Sequence, residues 1–139
     1  MASKHVIIVV KNNDNEYLQY YDNRWDSLLF LNCKKNEDFT NDLLIDDISN
    51  RFDIDKNSIS IKYYGEKTHS KFSVSNQIMK EYIHDFYLVS FNLPEFMNKK
   101  EFIYKDINYV WYSMDELETN ERIQEVNSDI VSFIKEFNI

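Results

Sequence analysis

The sequence predicts an α/β (α+β) protein, a mixed β-sheet sandwiched by helices. Three observations predict it. Extended and helical patterns alternate in the order β-β-β-α-β-(β)-β-β-α. Two stretches, 39–52 and 121–137, carry apolar residues at spacings of three and four, the mark of an amphipathic helix. The remaining apolar residues fall in β-branched or alternating runs, which suit strands. The chain of 139 residues holds one glycine and one proline, too few for a hinge or linker, so one domain over residues 1–139 is expected.

The elements follow in order. His5 to Lys11, HVIIVVK, is a continuous β-branched run and reads as a buried strand. Asn12 to Asn15 is turn chemistry, because Asn and Asp tolerate left-handed backbone angles. Glu16 to Asp22 resumes an extended pattern, so the two segments are expected to form a hairpin. Trp25 to Leu31 is a further apolar stretch leading into a polar loop. The first helix carries Phe39, Leu43, Leu44, Ile45, Ile48 and Phe52 as its apolar stripe. Asn36, Asp38 and Thr40 are its candidate caps. Asp53 to Asn57 ends it. Ser58 to Tyr64 alternates in period two, Gly65 marks a turn or bulge, and Lys71 to Val74 is a short strand. Met79 to Leu93 is a long extended segment closed by Pro94. Phe102–Tyr104 and Ile107–Tyr112 are two more short runs. Ser113 and Glu116 have capping-box spacing. Ile123, Val126, Ile130, Ile134 and Phe137 give the closing helix its apolar side.

Composition narrows the function. A formal net charge of −8 opposes sequence-independent binding to a nucleic-acid backbone, which needs an electropositive surface. A single cysteine, Cys33, excludes an internal disulfide and a thiolate zinc site. His5, His69 and His84 show no ligand spacing. No apolar run reaches ~18 residues, so no membrane span is expected, and the N-terminus lacks a signal-peptide pattern. A cytoplasmic protein is the expectation.

The polar side of the first helix carries Asp42, Asp46, Asp47, Asn50 and Arg51. Its simplest reading is a solvated face. Asp47 and Arg51 are four apart and can pair, worth roughly 0.3 kcal/mol on a surface helix.

The stretch from Asn32 to Ile54 resembles the box of the Nudix hydrolase superfamily, G-x5-E-x7-R-E-U-x-E-E-x-G-U, where U is bulky and aliphatic. Ile48 and Ile54 fall on the two U positions, and Trp25 precedes the box as an aromatic often does there. Val110-Trp-Tyr-Ser-Met-Asp-Glu-Leu117 resembles the family's late strand and short helix. The resemblance implies a Nudix-like fold, and activity on a nucleoside diphosphate linked to another group with Mg or Mn as the metal. The departures are large. Asn32 and Asp53 replace the glycines, Asp38 the first glutamate, and Asp46-Asp47 the Arg-Glu pair. Asn50-Arg51 replace the Glu-Glu pair that supplies metal ligands. Of three acidic ligands only Asp47 remains, and Arg51 puts a fixed positive charge where a cation would bind.

These residues therefore point first to a catalytically degenerate, pseudo-Nudix domain that binds a nucleotide or nucleotide-derived ligand. Arg51, Asn50 and Trp25 are its candidate ligand contacts. The second reading is a divergent Mg- or Mn-dependent hydrolase, with Asp38 and Asp47 catalytic and Asp42, Asp46 and Asp47 holding metal. The third is a protein-interaction module, including a homodimer built through aromatic-rich strands.

Overall fold

A computed structural model describes the backbone of residues 2–73 and 78–139, and the side chains of 4–70 and 78–139. The strands are β1 (Ala2–Val9), β2 (Tyr17–Asp22), β3 (Ser27–Lys34), β4 (Ser60–Ser73), β5 (Ile78–Ser90), β6 (Glu101–Tyr104) and β7 (Ile107–Tyr112). The helices are α1 (Asn41–Phe52), α2 (Met114–Thr119) and α3 (Glu121–Phe137). The strands form one seven-stranded mixed sheet in the order β4-β5-β1-β3-β2-β7-β6, with β1 and β5 parallel and every other pair antiparallel.

Both faces of the sheet are covered. Alternate residues of β1 explain how. Val6 and Ile8 pack with Leu44, Ile48 and Phe52 of α1. Ile7 and Val9 pack with Leu117 of α2 and with Ile123, Ile130, Val131 and Ile134 of α3. A strand buried on both sides needs apolar residues at every position, which is why HVIIVV shows no alternation.

β1 and β2 are not the expected hairpin. Their pairing stops at its mouth, with a bridge between Lys11 and Tyr17 and one bond from the Leu18 amide to the Val10 carbonyl. β1 runs between β3 and β5, while β2 runs between β3 and β7. A central strand takes two neighbours, and both belong to later parts of the chain. Leu43 is 46% exposed, so it leaves the predicted apolar stripe, and Phe39 precedes the helix rather than opening it. Thr40 is the cap, accepting from the Leu43 amide at 3.2 Å. The segment from Lys71 is the continuation of β4 through Ser73, with Val74 outside the described residues. Gly65 is a bulge in that strand rather than its end. The capping box forms as expected, and α2 and α3 meet at Asn120. Among the described residues no helix is long and apolar enough to cross a membrane.

Candidate functional site

The site is organised by a divergence in the sheet. The first half of β3 pairs with β2, from Asp22↔Ser27 to Gln19↔Phe30. Its second half pairs with β1, from Ile8↔Leu31 to His5↔Lys34. Arg51 of α1 reaches into this divergence. Its Nη2 donates to the Asn32 carbonyl at 2.8 Å, and its Nε and Nη2 donate to the two Asp47 oxygens at 2.8 and 3.3 Å. The pair is partly shielded, with 25% and 29% of the side chains exposed. Burial opposes the charge on Arg51, but the Asp47 hydrogen bonds and charge outweigh it and raise the guanidinium above its ordinary value. Burial, followed by the Asp47 charge, pushes the neighbouring Cys33 thiol up to about 11, so it is a protonated, unreactive group.

A hydrogen-bonded chain leads from Asn32 to the β2–β3 turn. Asn32 Nδ2 donates to the Tyr20 hydroxyl at 3.1 Å, and that hydroxyl donates to Asp22 at 3.0 Å. The buried Asp22 carboxylate accepts the amides of Arg24 and Trp25 at 2.9 and 3.2 Å, which fixes the turn carrying both side chains. From α3, Arg122 donates to the Trp25 and Asp26 carbonyls at 2.5 and 3.0 Å.

That turn forms the rim of a cleft between the sheet and α3. His5, Phe30, Tyr82 and His84 form its floor, and Asn127 and Ile130 its helical wall. Trp25, 49% exposed, and Arg24 stand at the rim. Asn127 has non-helical angles (φ −138, ψ 20), so α3 breaks its regularity along the cleft. Burial, then the charges of Lys34, Lys80 and Arg24, lower the pKa of His5. Of these three cations, Arg24 lines the cleft.

Trp25 is the one sequence-predicted contact that lines this cleft. Arg51 and Asp47 meet as a pair, and their guanidinium faces Asn32 rather than open solvent. Asp46 pairs with Lys56 at 2.7 Å. Asp42 is exposed on the first turn of α1, and Asp38 lies in the preceding loop. Asn50 is exposed, and its carbonyl accepts from Lys105 at 2.6 Å. The predicted acidic row thus reaches no common point, and among the described residues no group of three His, Cys, Asp or Glu can hold a metal ion. A hard divalent cation needs several converging oxygens, and one placed at Asp47 would face the guanidinium. This donor set does not suit Mg or Mn.

Residue-by-residue reading missed Arg24, Asn32, Tyr82 and the three histidines of the cleft. His5, Tyr82 and His84 sit at same-parity positions in two strands, but only the parallel register His5↔His84 brings those strands together.

No protein-family model and no curated protein matches the sequence. Solved structures do. The Ap4A hydrolase of C. elegans is 13% identical with a TM-score of 0.57, over 99% of this chain and 97% of that one. The dihydroneopterin triphosphate pyrophosphohydrolase of E. coli is 10% identical with a TM-score of 0.59, over 91% and 95%. The MutT protein of methicillin-resistant Staphylococcus aureus, of the Nudix hydrolase family, is 15% identical with a TM-score of 0.56, over 99% and 95%. Sheet order, helix placement and these matches agree: the chain has the Nudix fold.

Proposed function

We propose that this chain binds a nucleotide or nucleotide-derived ligand in the cleft between the sheet and α3, and does not hydrolyse it. The observation that carries the reading is the Arg51 clamp on Asp47 and Asn32. A phosphoanhydride hydrolase of metal type must bring divalent cations to the carboxylates of α1. Here the one retained carboxylate is neutralised from within the protein. The cleft itself supports binding: Trp25 and Tyr82 offer faces for a base, and Arg24 offers charge for phosphate.

The test is a thermal-shift series with nucleotides, each run with Mg, with Mn and with chelator, alongside a product assay. A ligand that binds the folded state raises its melting temperature according to its affinity. The expected result is stabilisation that survives chelation, with no product formed. Metal-dependent cleavage that Asp47→Asn abolishes would overturn the reading in favour of the hydrolase. No stabilisation by any nucleotide would overturn it in favour of an interaction module.

A further inference from the structure

The side-chain amide of Asn32 has one orientation that its neighbours accept. Its Nδ2 lies 3.0 Å from the Phe30 carbonyl and 3.1 Å from the Tyr20 hydroxyl. A carbonyl only accepts, so the atom facing it is the nitrogen. The second contact agrees. A carboxylate also only accepts, so the Tyr20 hydroxyl gives its proton to Asp22 and turns a lone pair to Asn32. Both Nδ2 hydrogens are thereby used. Oδ1 is left as an acceptor with no hydrogen-bond partner among the described residues.

Asn32 is half-buried and lines the cleft, opposite Ile7 of β1 and two residues along β3 from Phe30 of the floor. The Nudix box that this stretch resembles carries glycine at that position, so the acceptor is this chain's own addition. We propose that Asn32 makes the cleft selective for a nucleotide whose base carries an N–H donor on its inward edge, with Arg24 holding the phosphate at the rim. This inference rests on the reading of the cleft as the nucleotide site and names the base edge that the site takes.

The same contacts fix how far apart the two ends stand. Steps of 3.1 Å from Asn32 Nδ2 to the Tyr20 hydroxyl, 3.0 Å on to Asp22 and 3.5 Å on to Arg24 Nη2 lead to the guanidinium. A nucleoside monophosphate spans that separation. The Arg24 side chain is 83% exposed, which leaves most of its N–H groups for an anion. Polarity sets the direction of the ligand. A phosphate oxygen has no proton to offer Oδ1, so the phosphate belongs at Arg24. A base edge with an N–H satisfies Oδ1, whereas an edge with ring nitrogens alone sets lone pair against lone pair. Trp25 stands at the rim, where its ring can lie against the ligand.

The experiment titrates the full chain by calorimetry, in chelator, with adenosine monophosphate and purine riboside monophosphate. The two differ by the exocyclic amine, and the second has no N–H on its base. The amine is expected to raise affinity about tenfold, the contribution of one hydrogen bond to a half-buried acceptor. Asn32→Leu removes the acceptor and keeps the backbone carbonyl that Arg51 holds, so it should bring the two affinities together. Asn32→Ala serves in its place if leucine unfolds the chain, and the comparison in the parent needs no variant. Arg24→Gln, on an exposed side chain, should weaken both nucleotides by the same factor and leave their ratio unchanged. Equal affinities in the parent, or a preference that survives in Asn32→Leu, overturn the role of Asn32 and leave the binding function standing. A ratio that collapses in Arg24→Gln overturns the division between floor and rim. Failure of both nucleotides to bind, together with the cytidine, uridine and guanosine monophosphates, overturns the binding function itself.

Discussion

Replacing Arg51 with alanine tests the clamp directly. The change removes two hydrogen bonds to Asp47 and one to the Asn32 carbonyl. Breaking a fully buried ion pair costs ~3–5 kcal/mol. Here 25% and 29% of the two side chains remain exposed, and solvent screening reduces the pair to about 1 kcal/mol. The Asn32 carbonyl loses its charged donor at the sheet divergence, a further ~1 kcal/mol. A total near 2 kcal/mol corresponds to a melting temperature lower by about 7 °C in a domain of this size. Thermal and urea unfolding followed by circular dichroism measure both quantities. Asp47→Asn keeps the shape and leaves the guanidinium partly paired, so it should lose about half as much. The double variant should show a coupling of about 1 kcal/mol, since the two groups touch. Refutation is simple to recognise: Arg51→Ala melting within about 2 °C of the parent would mean the clamp does not hold the divergence.

Other perturbations probe other links. Gly65→Ala should cost ~1–3 kcal/mol in urea unfolding, because the bulge has φ +141 and the new Cβ would sit 3.0 Å from the Phe137 ring; an unchanged midpoint would contradict the strain argument. Burial raises the Asp22 carboxyl, but the Trp25 and Arg24 amides, the Tyr20 hydroxyl and the Arg24 side chain together hold it below its ordinary 3.8. Its contribution is therefore present above the unfolded value and lost as pH falls through the folded one. Acid unfolding read by tryptophan fluorescence should show that component in the parent and not in Asp22→Asn; identical acid limbs would remove the turn-fixing role. The Cys33 thiol, at about 11, should react with a disulfide reagent about two hundredfold more slowly at pH 8 than an ordinary cysteine. A native rate equal to that of free cysteine would place the sulfur in a different environment.

Local patterns announced most elements. The box spacing of Ser113 and Glu116 is a short-range signal, and both of its hydrogen bonds form. The period of α3 was equally readable, since Ile123, Ile130 and Ile134 are buried. Long-range pairing was not readable. NNDN suggested a hairpin because turn chemistry reports only that the chain reverses, not which strands pair afterwards. The cleft shows the same limit. Trp25 could be named from its place before the box, but the histidines are spread from position 5 to position 84. A lone histidine in a strand carries no sign of what the neighbouring strands will place beside it.

Arg51 was legible in kind and not in direction. Sequence placed it at i+4 from Asp47, where pairing is expected, and the pair forms at 2.8 Å. Sequence could not place the third partner, because the Asn32 carbonyl lies beside the divergence of β1 and β2 along β3. That third bond alters the role of the residue. A guanidinium held by Asp47 and Asn32 is a fixed strut between α1 and β3, continued through Tyr20 and Asp22 to the turn that presents Arg24 and Trp25. The strut from α1 thus reaches the rim of the cleft on the opposite face. Stiffness of that kind lowers the ordering cost of binding. Under the proposed reading, the contact that neutralises Asp47 is the same one that supports the rim.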